Sequence, residues 1–221
     1  MELTDKIKNY EEHLDYLESR YWKDAVQLSG PSEDLHREVV RCIEIFFPNL
    51  GRQCYSSANL RGYVDGQVHR RNGQRYPFIS QELIEYFELE TSLRKEGKTK
   101  DRDEENILRE TIAHEYGHIC YHDLIDYPLS YKLGCNFRMN LDESFAQWFG
   151  KYFSGDISDG ETINIEYFSR YYPHLSAKIL NKSFRALKEE FGNVPNTLKN
   201  VPTVTAIIEL LKNPQLWTGH L

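Results

Sequence analysis

The sequence predicts an α+β fold: a small antiparallel or mixed sheet packed on two helices, one with a histidine pair and one with a glutamate, with helical extensions at both ends. Three observations lead there. Apolar residues recur at helical spacing through much of the 221-residue chain. Residues 54–79 instead carry strand character and two hairpin dipeptides, Asp65-Gly66 and Asn72-Gly73. Finally, His114-Glu115-Tyr116-Gly117-His118 sets two histidines four residues apart in a helical stretch, so both imidazoles share one face.

Taken in order, residues 4–28 read as a polar amphipathic helix rich in Glu, Lys and Tyr, stopped by Ser29-Gly30-Pro31-Ser32. A second helix is expected over about 33–47, with Leu35, Val39, Cys42, Ile43 and Phe46 on one face and Pro48 at its end. The two glycine turns divide 57–64, 67–71 and 74–79 into a three-stranded meander. Pro77 suits an edge strand, which makes Tyr76-Pro77-Phe78-Ile79 the candidate edge. Ser80 caps a helix carrying Leu83, Ile84, Tyr86 and Phe87, and the charged run 94–103 is a solvated loop. The histidine helix follows from Glu104. Leu141, Phe145, Trp148, Phe149 and Tyr152 then mark a further amphipathic helix, with Asn140 near its N-cap and Gly155 past its end. Helices at 175–191 and 203–211 complete the chain. The expected organisation is a helical segment over 1–50, a core over 51–155 and a helical subdomain over 156–221. That subdomain forms the other wall of a cleft or a partner-binding surface.

The pentapeptide carries the chemistry. Imidazoles of His114 and His118 can reach one metal ion, and Glu115 between them can take a proton from a water at the metal. Gly117 costs about 1 kcal/mol in a helix relative to Ala and signals close approach of another element. A catalytic zinc needs a third protein ligand. In H-E-x-x-H-x-x-G-x-x-H the glycine and the last histidine would stand at Tyr121 and Leu124, which excludes that class. His122 lies about 12 Å along the helix axis from His114, too far to share one ion. It is expected at the helix C-terminus as a hydrogen-bonding or supporting group. Asp123 and Asp126 stay open as ligands. Glu143 is the better candidate, because Ala146 one turn later lets its helix lie close to the histidine helix. Asp142 is a candidate partner for a ligand histidine.

With those residues in place, H-E-x-x-H followed by E-x-x-A resembles the gluzincin metallopeptidases, in which a second helix supplies a glutamate ligand. The resemblance implies His114, His118 and Glu143 as ligands to one catalytic zinc and Glu115 as general base. His114 to His122 resembles the H-E-x-G-H-x-x-x-H stretch of ImmA/IrrE-type peptidases. The run from Glu143 fits their E-x-x-A-x-x-F-A helix, with Gly150 in the last place. Leu141 to Ala146 is also similar to the minimal-gluzincin pattern L-x-E-G-F-A, with Ser144 for glycine. The resemblance covers roughly residues 57–155 and implies that a strand beside the cleft holds an extended peptide by β-augmentation. No exopeptidase signature of the G-x-M-E-N type precedes the motif, and the leucine-methionine-proline end of the ImmA-type helix is absent.

Composition narrows the setting. Apolar content of 40% supports a globular core, and no apolar run approaches the ~18 residues that span a membrane. The polar N-terminus lacks a signal-peptide core, which predicts a cytoplasmic protein with no membrane partner. The four cysteines, Cys42, Cys54, Cys120 and Cys135, form no C-x-x-C pair and are expected as reduced thiols. A net charge of −7 gives no case for nonspecific nucleic-acid binding. The expected partner is a protein or peptide substrate. The expected activity is a zinc-dependent endopeptidase of restricted specificity, with Tyr152, Tyr167, Tyr171, Tyr172 and His174 as candidate oxyanion donors. The alternative is a catalytically silent zinc-binding regulator or partner-binding protein on a peptidase fold.

Overall fold

Asn72 and Gly73 occupy positive φ, 52° and 75°, and close a two-residue hairpin. In this computed structural model, which describes residues 12, 13, 16, 18–58, 60, 65–125 and 135–154, the hairpin joins β3 (Gly66–Arg71) to β4 (Gln74–Ser80). Two shorter strands, β1 (Val26–Gln27) and β2 (Tyr55–Ser57), complete a mixed sheet of order β1-β2-β4-β3. Around it pack α1 (Gly30–Glu44), α2 (Gln81–Lys95), α3 (Asp103–Cys120) and α4 (Cys135–Ser154). A π-helical turn, Tyr121–Ile125, continues α3. The helices expected at 175–191 and 203–211 lie outside the described residues. No helix of the described residues is long and apolar enough to cross a membrane.

The sheet corrects the expected meander. β2 pairs parallel with β4, Tyr55 opposite Phe78, so among the described residues β4 is central and β3 is an edge; residues 61–64 of the expected first strand lie outside them. Asp65-Gly66 is therefore not a hairpin turn: the Asp65 carbonyl accepts from Ser80 N–H at 2.8 Å, and Gly66 begins β3. Pro77 is tolerated in this central strand for a geometric reason. The two-residue hairpin makes Arg71–Gln74 a hydrogen-bonded pair, and alternation makes Val68–Pro77 a non-hydrogen-bonded one. The missing N–H thus faces β2, whose ladder starts only at Phe78.

The expected helix over 4–28 also ends early. Residues 18–22 are helical, but Val26–Gln27 pair antiparallel with β2. Trp22 ties this segment to the sheet: its indole N–H donates to the Arg70 carbonyl at 3.0 Å, and its ring meets Tyr55, Tyr76 and Phe78 edge-on. α1 begins at Gly30, before the expected position, because Pro31 pre-sets the first turn rather than stopping the chain. It buries Leu35, Val39 and Ile43 but leaves Cys42 exposed.

α2 is capped as expected, with Ser80 Oγ accepting from Leu83 N–H at 3.2 Å. Leu83, Ile84 and Phe87 are buried, whereas Tyr86 is exposed and donates to Glu82. The helix extends into the predicted loop, so Arg94 ion-pairs with Glu105. The buried Glu90 carboxylate of α2 accepts from the N–H groups of Glu104 and Glu105 at 3.3 and 3.2 Å. It supplies the N-terminal cap of α3 from a neighbouring helix.

α3 runs through the core. Leu108, Ile112, Tyr116 and Ile119 meet Phe145 and Phe149 of α4, Val39 and Ile43 of α1, and Ile79 of β4. α3 and α4 are in very close contact. A Cβ on Gly117 would lie 2.6 Å from the Ala146 Cα, and one on Gly150 would lie 3.1 Å from the His114 Cβ. The small residues expected to allow close approach do so, and Gly150 adds a second contact point. α4 begins at Cys135, five residues before the expected start at Asn140. Glu143 therefore lies in its third turn, where an interaction with the helix dipole no longer accounts for it.

Candidate metal centre

Crossing α3 over α4 at Gly117 and Gly150 brings three side chains to one point. His114 and His118 direct their Nε2 atoms inward, 3.1 Å apart. Glu143 Oε2 stands 3.8 Å from the first and 3.6 Å from the second. One donor atom from each lies within 4.8 Å of the others, in a cluster capable of holding a metal ion. Ligands at bond lengths of 2.0–2.1 Å in a tetrahedral site stand about 3.3 Å apart, so the donor set fits zinc.

The set is supported from behind. Asp142, next to Glu143 on α4, accepts from His118 Nδ1 at 2.8 Å and pairs with His122 Nε2 at 3.1 Å. A donor at Nδ1 leaves the Nε2 lone pair of His118 facing the cluster. His122 thus serves as a partner of Asp142 and stands outside the cluster. Asp123 is also outside it, paired with Arg75 at 3.0 Å and Arg52 at 3.8 Å. Asp126 lies outside the described residues.

Electrostatics follow the geometry. Burial, and then the charge of His118, lowers the His114 pKa to about 3, so this imidazole is neutral and able to donate a lone pair. For His118, burial opposes the charged form, but the hydrogen bond and charge of Asp142, with Glu143 and Glu115, outweigh it and raise the pKa to about 10. The same contacts from His118 and His122 overcome the burial of Asp142 and hold its carboxyl well below the usual carboxylate range. A cation at the cluster would take the place of the His118 proton.

Glu115 sits beside this cluster and contributes no atom to it. It is buried, and a Cβ on Gly66 of β3 would fall 2.5 Å from its Oε1. Only a glycine at that strand position leaves room for the carboxylate. Its Oε2 is buried with no hydrogen-bond partner among the described residues. Burial raises its pKa to about 8, with the charge of His118 opposing and those of Glu143 and Asp142 adding.

The cluster opens into a cleft of about 480 Å³ between the β3 side of the sheet and the α3–α4 pair. Gly66, Gln67, Val68, Arg70 and Arg75 line the sheet wall, with Glu18 at its rim. None of these was singled out in the sequence as part of the site. The alternation of β3 was the available signal, but the expected meander placed its edge elsewhere. Tyr152, a candidate oxyanion donor, packs on Phe46 and Phe153 of the core. Tyr167, Tyr171, Tyr172 and His174 lie outside the described residues.

No protein-family model, no curated protein and no solved structure matches the chain. The site geometry accordingly carries the functional argument. Two imidazoles and a carboxylate converge on one position in an open cleft, and a buried carboxyl group beside them can exchange a proton.

Proposed function

We propose that the protein is a zinc-dependent metallopeptidase of the gluzincin type, acting as an endopeptidase of restricted specificity. The observation that supports this most is Glu115. A purely structural metal site needs no further acid beside its ligands, yet here a carboxyl is buried against the cluster, sits where only a strand glycine leaves room and has one oxygen without a hydrogen-bond partner among the described residues.

His114, His118 and Glu143 would hold the zinc. When bound, the ion supplies Lewis-acid polarisation of a carbonyl and acidifies a water. Glu115 takes the proton of the attacking water and returns it to the leaving amine. A pKa near neutrality suits both transfers, because the group must accept and then donate at one working pH. Asp142 holds His118 in the ligating tautomer. Among the described residues β3 is an edge of the sheet, and it borders the cleft, which favours binding of an extended peptide by strand addition.

Zinc content and peptide hydrolysis, measured together, test the reading. Purified protein should hold about one zinc per chain, and Glu143→Ala should lose most of it. Glu115→Gln should keep the zinc and lose cleavage of any peptide that the wild type cuts. Full cleavage by Glu115→Gln, or a wild type without zinc, would overturn the proposal.

A further inference from the structure

The helical residues 18–22 reach the same cleft from the sheet side. Trp22 is their fixed end. Its ring meets Tyr55, Tyr76 and Phe78 edge-on, and the Arg71 guanidinium lies over it at 5.0 Å. Its indole N–H donates to the Arg70 carbonyl at 3.0 Å. Arg70–Arg75 is a non-hydrogen-bonded pair, so that carbonyl faces away from β4, where an added strand would meet it. One turn earlier stands Glu18, at the rim of the cleft. Its Oε2 accepts from Nδ1 of the buried His69 at 2.7 Å, and Tyr21 stacks on the same imidazole, 4.0 Å between centroids. The segment thus holds β3 by rings on one face, by a backbone bond at its edge and by a carboxylate at the cleft.

We infer that residues 18–22 form an autoinhibitory strap, which bars an extended peptide from the cleft until its Glu18 end swings out. The inference rests on the peptidase reading of the same cleft. Gly66 abuts Glu115, and three residues of strand, about 10 Å, separate Gly66 from His69. A peptide extended along β3 with its scissile bond near Glu115 therefore meets Glu18 about three residues from that bond. Beyond lies Trp22 on the Arg70 carbonyl. The strap and a long peptide thus compete for one place, whereas a ligand confined to the metal cluster does not reach it. The two ends of the strap differ. Trp22 is wedged among three rings and serves as the pivot. The Glu18 side chain is 30% exposed, and Tyr16 beyond it is exposed, so this is the end that moves. In such a two-state cleft the apparent affinity for a long peptide scales with the fraction of open molecules. Loosening the strap therefore lowers KM and leaves kcat unchanged.

The test uses the zinc-loaded full chain, neutral fluorescence-quenched decapeptides with randomised central positions, and acetohydroxamate as a metal ligand too short to reach His69. Glu18→Ala should raise kcat/KM for the decapeptides at least about tenfold, through KM, with zinc content and inhibition by acetohydroxamate unchanged. His69→Phe keeps a ring for Tyr21 and leaves the charge of the cleft as it is, but loses the donor to Glu18. It should match Glu18→Ala. Glu18→Gln keeps an acceptor for His69 and should stay close to the wild type. If His69→Phe does not fold, the two Glu18 variants decide the matter. An unchanged KM in Glu18→Ala, or a change that acetohydroxamate shares, would overturn the inference. If the chain holds no zinc or cleaves no peptide, the peptidase reading fails first, and fluorescence anisotropy with fluorescein-labelled decapeptides judges the strap. About tenfold tighter binding to Glu18→Ala than to the wild type and Glu18→Gln supports it, and equal binding overturns it.

Discussion

Asp142 Oδ1 lies 2.8 Å from His118 Nδ1, and the next residue along the helix is Glu143 of the metal cluster. One turn of α4 therefore supplies a prospective ligand and also the group that orients another. Asp142→Ala leaves the three cluster residues intact but frees the His118 ring. Zinc affinity should fall about 10- to 100-fold. A competition titration against a chromogenic chelator reads this directly, and unchanged affinity would remove Asp142 from the site.

The contact between α3 and α4 leaves no room at Gly117. A methyl there would meet backbone, the Ala146 Cα at 2.6 Å, so relief requires the helices to separate. Gly117→Ala gains about 1 kcal/mol of helix propensity. Overpacking should outweigh that gain and leave the protein about 1–3 kcal/mol less stable. Urea unfolding with chelator present measures it as a lower midpoint at constant m.

Gly66 presents the opposite case. Its methyl would meet a side chain rather than backbone, Oε1 of Glu115 at 2.5 Å and its Cδ and Cγ at 2.9 Å, so the Glu115 side chain must shift while the helices need not separate. Gly66→Ala should therefore cost less stability than Gly117→Ala and retain zinc. By displacing the proposed general base it should lower kcat/KM by up to about 100-fold. Parallel zinc and kinetic assays separate this from loss of metal.

His36 offers a pH signature remote from the cluster. Burial, with lesser and opposed effects of Glu33 and Arg37, lowers its pKa from 6.5 to about 4, and its Nε2 lies 3.0 Å from the Tyr116 hydroxyl. The unfolded chain binds this proton more readily than the folded one. The stability that neutral His36 contributes is present above pH 6.5 and is lost as pH falls toward 4. The loss is about 3 kcal/mol. Denaturation curves at several pH values should show wild type losing this increment relative to His36→Gln.

The sequence by itself determined which residues make up the candidate metal cluster. Spacings of four between His114 and His118 and of three between Glu143 and Ala146 are local, and helix periodicity converts them directly into shared faces. Asn72-Gly73 was equally legible, because positive φ at two successive residues is a local demand. Gly117 and Ala146 each announced a close approach of the two helices, and the fold set one against the other and added Gly150 against His114. Strand order could not be read in the same way. Pairing of β2 with β4 is decided by burial across the sheet, and Pro77 misled because its cost depends on which neighbour its missing N–H faces. The start of α4 at Cys135 and the capping of α3 by Glu90 likewise depend on contacts between elements. Tertiary structure alone placed Gly66 against Glu115 and set Arg70 beside Arg75 in the cleft. Gly66 and Glu115 are far apart along the chain and no local pattern encodes their meeting, whereas the Arg70–Arg75 register follows from the Asn72-Gly73 hairpin and only its place in the cleft does not.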